Sequence, residues 1–447
     1  MQGTANRDKR VIVIGGGAAG LLAAGRAAEL GASVLLLEKN DQLGKKILIS
    51  GKGRCNLTNT KPLEEFIGMY GPNGRFLYRA FRLFFQDDLI GFLERYGLEV
   101  KTERGGRIFP VTDDAADVVR ACRRYLQDNK VEIRLSSPVT DVDIQDGRMR
   151  GVHTRGGFLP ALAVILATGG ASYPGTGSSG DGYRLAQAAG HTLIPLRPAL
   201  IPLVVEEIDL AASMQGVTLK NVRLTSFSCR AEELGQIPIP SSEVGRGVKG
   251  PKARPPVIES RQGEMMMTHF GVGGPVVLLM SLAVTDALAR GPVSIAIDLK
   301  PALSFVQLDR RLQADLADFG KRSLKGILAG LVPKSLIAPL AGLANLPLDK
   351  PAHQINAEER TALAGLLKSV RFNIRAPLPI EHAIVTAGGV SLAEIDPRRL
   401  ASRIVSGLYM CGELLDLDAD TGGFNLQAAF STGYLAGESA AGQINRG

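Results

Sequence analysis

The chain has 447 residues, 45% of them hydrophobic and 21% charged, with a formal charge of +8. This length exceeds a single hydrophobic core, since domains run to about 100–200 residues, and the composition excludes a disordered or fibrous chain. Four cysteines far apart, with no CxxC pair, exclude a zinc ribbon or dithiol motif and fit a reducing, cytoplasmic setting; no metal site is expected.

Arg7, Lys9 and Arg10 precede an apolar run over residues 11–24, as in a secretory signal. Gly15, Gly16, Gly17 and Gly20 interrupt that run, so strand, turn and helix is the better reading. No stretch reaches about 18 uninterrupted apolar residues, and no membrane span is expected. Residues 11–14 read as a buried strand, 21–30 as an Ala-rich helix and 33–38 as the next strand, an order that implies parallel pairing in a doubly wound sheet. Residues 40–60 read as a polar loop, 76–96 and 114–129 as helices, and 131–135 with 139–144 as a strand pair. Strands at 148–154 and 163–167 and a helix at 181–189 complete this part.

After residue 196 the texture becomes β-rich, with strands at 200–205, 219–229 and 293–299. Residues 305–367 are helical in pattern, broken by Pro333, Pro339 and Pro347. Arg246, Lys249, Lys252, Arg254 and Arg261 form a basic, loop-like stretch. Gly-rich α/β texture returns near residue 381. The expected architecture is a Rossmann-type α/β domain over 1–195 and 379–447. It is interrupted by a β-rich, barrel-like domain over 196–300 and 368–378, which carries a nested helical subdomain over 301–367.

Gly15-x-Gly17-x-x-Gly20 between strand and helix is the strongest chemical signal. Gly15 permits the turn, Gly17 lets a pyrophosphate approach the backbone, and Gly20 lets the helix pack on the strand. The helix start at Ala18 and Ala19 then offers free N–H groups and a positive dipole end. Glu38 closes the next strand 18 residues beyond Gly20, where an acid accepts ribose hydroxyls. The competing reading is a Gly-rich turn that only packs a helix. The following loop carries Lys39, Lys45, Gly53, Arg54, Cys55, Asn56 and Thr58, which can lie along a dinucleotide or form a solvated basic loop; without a partner thiol, Cys55 reads as a space-filler. Thr168-Gly169-Gly170 ends an apolar strand, and Val139 opens another. Near the C-terminus, Gly412-Glu413 ends a strand and can present a carboxylate to ribityl hydroxyls. Gly423, Asn425, Leu426 and Gln427 open an Ala-rich helix that can aim its N-terminus at a flavin edge.

The runs GGGAAG, LISGKGRCNLTN, GRIFPVTDDAADV, LATGGASYPGTGSSGDGY, THFGVGGP and CGELLDLDADTGGFNLQAAFSTG resemble the BaiN-like (YhiN-like) family of NAD(P)/FAD-dependent oxidoreductases, some of which are labelled aminoacetone oxidases. The resemblance covers nearly the whole chain. It implies the three-part fold above and non-covalent FAD, and it names the cofactor better than the substrate. Met265-Met266-Met267 and the basic stretch at 242–261 depart from the family pattern.

Flavin carries the redox chemistry itself, so a protein acid or base is optional. His269, in Thr268-His269-Phe270-Gly271, can protonate a carbonyl or bind a carboxylate; the alternative is a His that caps a turn. Arg107 can hold an anionic substrate or make a structural ion pair. His382 has less context, and His153, His191 and His353 have none. A single dinucleotide fingerprint means that NAD(P)H binds transiently at the flavin, or that O2 or another molecule exchanges the electrons. The expected function is FAD-dependent two-electron chemistry on a small metabolite. The alternatives are a tRNA-modifying type of flavoprotein and a non-catalytic flavin sensor. Because the cations look dispersed, nucleic acid is not the expected partner; the oligomeric state is left open.

Overall fold

The computed structural model describes residues 10–235 and 256–444; most of the basic stretch, including Arg246, Lys249, Lys252 and Arg254, lies outside them, as do Arg7 and Lys9. The chain forms two compact units, Met1–Ala199 with Ile380–Gly447, and Leu200–Pro379.

The first unit is built on a five-stranded parallel sheet in the order Leu408–Met410, Ala163–Leu166, Arg10–Ile14, Ser33–Leu37, Glu132–Arg134. The central strand RVIVI is buried at every residue, as continuous apolar runs are when helices cover both faces of a parallel sheet. The helices Ala18–Glu29 and Phe424–Ile444 pack very closely. A Cβ at Gly433 would stand 2.1 Å from the Ala19 carbonyl oxygen, and one at Gly437 2.3 Å from that of Ala23. The C-terminal helix therefore completes a layer begun by the first glycine motif.

Three local expectations fail. Residues 131–135 and 139–144 do not pair: Glu132–Arg134 joins the edge of the parallel sheet, whereas Val139–Gln145 opens an antiparallel meander with Arg148–Thr154 and Gly157–Pro160. The cause is the turn between them, where Ser136 and Ser137 donate backbone N–H to the carbonyls of Asn40 and Glu38 and lead the chain away. The expected helix 76–96 is broken at Phe84 and Phe85, which are extended, into Tyr78–Leu83 and Gln86–Arg95. Asp88 caps the second piece through the Phe85 N–H at 2.8 Å. The loop 40–60 contains a short helix, Lys45–Ile49.

The second unit holds a closed six-stranded barrel, with neighbours in the order Leu203–Val205, Gly271–Gly273, Val257–Thr268, Thr218–Phe227, Val293–Asp298, Val370–Pro377. Every neighbouring pair is antiparallel. Between the last two strands the chain makes the helices Phe305–Asp318, Leu324–Leu328, Lys334–Leu343 and Ala357–Lys368. Their apolar faces share one core with the barrel. Buried Lys368 joins the two layers, donating to Asp298 at 2.6 Å and to the carbonyls of Leu303 and Lys300 at 2.7 and 3.0 Å, which satisfies all three ammonium donors.

Candidate functional site

The three fingerprint glycines do different work. Gly15 is left-handed (φ +104°) and a Cβ there would lie 2.5 Å from the Ala167 carbonyl oxygen. A Cβ at Gly20 would stand 1.8 Å from the Gly15 oxygen, whereas one at Gly17 would meet nothing within 4 Å. Gly17 precedes the first residue of Ala18–Glu29, and no side chain caps that helix. An open, uncapped helix start is a ready anion cradle, because its first N–H groups lack partners within the helix.

Glu38 is buried beside it. One of its oxygens accepts from Gly16 N–H at 2.6 Å, and the other from the backbone and side chain of Asn40, both at 2.8 Å. The carboxylate is thereby fixed at the strand tip, with lone pairs left to accept more. Lys39 pairs with Asp181 at 2.6 Å and also reaches Ser179. Burial pushes the Asp181 carboxyl up, but the hydrogen bond and charge of Lys39 win and hold it below its usual value.

Lys45 turns away and pairs with exposed Asp41 at 2.9 Å. Its neighbour Lys46 points inward, donating to Glu413 at 2.6 Å and Ser172 at 2.7 Å. The other Glu413 oxygen accepts from Thr386 N–H at 2.8 Å and from the Ser172 hydroxyl at 3.1 Å. Gly170 makes room for this cluster, since a Cβ there would meet Thr386 Oγ1 at 2.5 Å. Lys46, Ser172 and Thr386 were not singled out from sequence. A basic loop shows no facing, and only the helix Lys45–Ile49 decides which lysine turns inward.

Cys55 is fully buried, and burial pushes its thiol up to about 12; it fills space and is not a nucleophile. Arg54 meets Glu103 and Asp113 and lies 4.3 Å over the Phe109 ring. Asn56, with its amide oriented to satisfy both ends, accepts from Gly423 N–H at 3.1 Å and donates to the Thr58 carbonyl at 3.2 Å. Gly53 is left-handed, with only the Leu48 carbonyl oxygen, 3.9 Å away, near a Cβ position. Gly423 lies against Thr58, whose carbonyl a Cβ would approach to 2.4 Å. Gly412 donates its N–H to Thr432 at 3.0 Å, and Gly169, like Gly412, is left-handed. Asn425 braces the preceding turn through Ala419, at 3.0 and 2.8 Å. Leu426 is half-buried, and Gln427 is buried. Val139, also buried, sits at the start of the meander. Three of these residues carry buried polar atoms with no partner among the described residues: Thr58 Oγ1, Thr168 Oγ1 and Gln427 Oε1. An orphan of this kind costs about 1–3 kcal/mol.

Of the two candidate catalytic residues, Arg107 lies on the strand that pairs with Thr58–Asn59. Arg107 begins a strand of the first unit, donating to the Arg104 carbonyl at 3.1 Å and approaching Glu103 at 3.9 Å. His269 is in the second unit. It is exposed, and with half-buried Phe270 it forms the two-residue turn between the strands Val257–Thr268 and Gly271–Gly273.

A family model described as the HI0933-like protein Rossmann domain matches residues 9–439. The chain belongs to this family, the BaiN-like group of flavoprotein oxidoreductases that its motifs resemble. A 3-dehydro-bile acid delta(4,6)-reductase of Clostridium scindens is 32% identical over 97% of this chain and 99% of its own length. A ribosomal RNA dihydrouridine synthase of Escherichia coli is 30% identical over 96% of each chain. Among solved structures, a 3-ketosteroid-delta4-(5alpha)-dehydrogenase from Rhodococcus jostii covers 97% of this chain and 96% of its own, at 15% identity and a TM-score of 0.48. Among the described residues no helix is long and apolar enough to cross a membrane.

Proposed function

We propose that the first unit holds FAD and that the chain reduces a carbon–carbon double bond conjugated to a carbonyl. The observation that supports it best is the Gly17 helix start, open on its ligand side and flanked by the buried Glu38 carboxylate. In this reading Gly17, Ala18 and Ala19 bind the pyrophosphate, and Glu38 accepts from the adenosine ribose. The Lys46–Glu413 pair meets the ribityl chain. The helix start at Gly423 to Gln427 would hold the reducible ring, its dipole favouring negative charge that develops there. Bound FAD supplies the two-electron step. The orphaned Thr58, Thr168 and Gln427 atoms fit a site whose remaining polar partners belong to a ligand.

The substrate class comes from what the relatives share. A bile acid delta(4,6)-reductase and a dihydrouridine synthase each saturate a double bond conjugated to a carbonyl. His269 is exposed in its turn in the second unit, and we give it no role in the site of the first. Arg107 is engaged by Arg104 and Glu103, and we give it no role. NAD(P)H serves as transient reductant, in keeping with the single fingerprint.

A second reading places the double bond in a uridine of RNA rather than in a small metabolite. It is favoured by two relatives named as ribosomal RNA dihydrouridine synthases and by the charge of +8. Purified protein should be yellow or take up added FAD. Under anaerobic conditions NADH or NADPH should bleach it. A colourless protein that takes up no FAD would sink the proposal.

A further inference from the structure

Four arginines that look dispersed in the sequence share one cleft of the first unit. Arg79 and Arg82 stand on the helix Tyr78–Leu83, and Arg398 and Arg399 on the turn after Asp396; with Tyr78 they line a cavity of about 500 Å3. All four are exposed. None of their guanidiniums meets a carboxylate of the described residues, whereas those of Arg26, Arg54, Arg120 and Arg134 of the same unit each do. The nearby acids are engaged otherwise. Glu64 accepts from the Tyr78 hydroxyl at 2.5 Å, and Asp396 accepts from the Arg398 N–H at 2.9 Å.

The turn that carries Arg398 and Arg399 is stiff. Leu400 is fully buried in a left-handed conformation (φ +55°) and donates its N–H to the Asp396 carbonyl at 2.7 Å. Asp396 and Arg403 close the turn through Ala401 and Glu394, at 2.9 and 2.8 Å. Beneath it, buried His191 bridges Glu394 at 3.1 Å and Ser402 at 2.8 Å. On so rigid a support four guanidiniums stand together with no ion pair among the described residues, and such a cleft attracts a polyanion.

We infer that this cleft docks the phosphodiester backbone of a structured RNA. The inference rests on the second reading above, in which the reduced double bond is a uridine's. Four exposed guanidiniums spread over two elements, with the Tyr78 ring among them, suit successive phosphates and an unstacked base. Contacts of this kind set position and carry no sequence preference. They leave selection of the uridine to the flavin site.

The test uses the full-length FAD-loaded protein and a fluorescent RNA hairpin with a uridine loop, titrated by anisotropy across a series of KCl concentrations. The Arg82→Ala/Arg398→Ala variant should bind roughly ten-fold or more weakly, with its log–log salt slope reduced by about 2. Arg134→Ala, which removes a guanidinium already paired with Glu132, should change neither. NADPH titration of the flavin should be the same in all three proteins. Should the double variant fail to fold, Arg79→Gln/Arg399→Gln makes the same prediction from the other two positions. Tight RNA binding that the variants leave unchanged would overturn the cleft while the RNA reading stood. A wild-type protein that binds no RNA at low salt would overturn both. A variant that loses NADPH affinity but not RNA affinity would reassign the cleft to the nicotinamide phosphate and overturn the proposal.

Discussion

Gly17 and Gly20 lie three residues apart in one motif and respond oppositely to the same substitution. A methyl at Gly20 would drive into the Gly15 carbonyl, whereas one at Gly17 enters open space at an ordinary φ of −85°. Gly20→Ala should therefore cost about 1–3 kcal/mol or more of stability, read by thermal melting with or without cofactor. Gly17→Ala should melt like wild type without cofactor and lose FAD affinity about ten-fold or more, equivalent to ~1.4 kcal/mol. Equal losses of stability in the two variants would argue that the motif only packs a helix. The lysines offer a second contrast. Lys46→Met leaves Glu413 without its cation and should markedly reduce FAD retention on a desalting column, while Lys45→Met loses only an exposed contact worth roughly 0–1 kcal/mol. The sequence pointed at Lys45 because residue type alone cannot say which of two adjacent lysines turns inward; that depends on 100° of helical rotation.

At the scale of elements, the turn over residues 394–403 hangs on one buried histidine. Burial lowers the His191 value against the opposing pull of Glu394. Burial raises the Glu394 carboxyl, but hydrogen bonds from Thr192 and His191 win and hold it below its ordinary value. A histidine depressed on folding contributes fully above its ordinary value, near 6.5, and that contribution is lost as pH falls below it. A depressed carboxylate contributes above its ordinary value, near 4.5, and is lost only below it, so the fall above pH 5 belongs to the histidine. Melting temperature should therefore fall between about pH 7 and pH 5, and His191→Gln should flatten that fall. A variant whose melting tracks wild type across the range would remove His191 from the account. Sequence pattern located strands at 131–135 and 139–144 but not their partners. Residues 131–144 contain two apolar runs a turn apart, which reads as a hairpin until Ser136 and Ser137 are seen bonded to Asn40 and Glu38. The break at Phe84 and Phe85 was equally hidden, because an aromatic pair continues a helical apolar pattern even where the backbone is extended.

At the scale of the whole molecule, the first and last parts of the sequence build one unit. The strand Leu408–Met410 lies beside Ala163–Leu166, which brings the glycine motif near residue 412 to the same sheet as the one near residue 15. The barrel was legible as texture but not as closure, since the long strand Val257–Thr268 begins within a stretch read as a basic loop. Charge was the least legible property. Arg82 and Arg398 are distant in sequence, and only folding gathers them with Arg79 and Arg399. The central claim, an FAD site that reduces conjugated double bonds, is tested most directly by one anaerobic experiment. The flavin is reduced, then mixed separately with a 3-oxo-4-ene steroid and with a uridine-containing RNA while its visible absorbance is followed. The account predicts that at least one of them restores the oxidised spectrum and leaves a saturated product. Reduced flavin that neither substrate reoxidises, in a protein that still reoxidises in air, would contradict it.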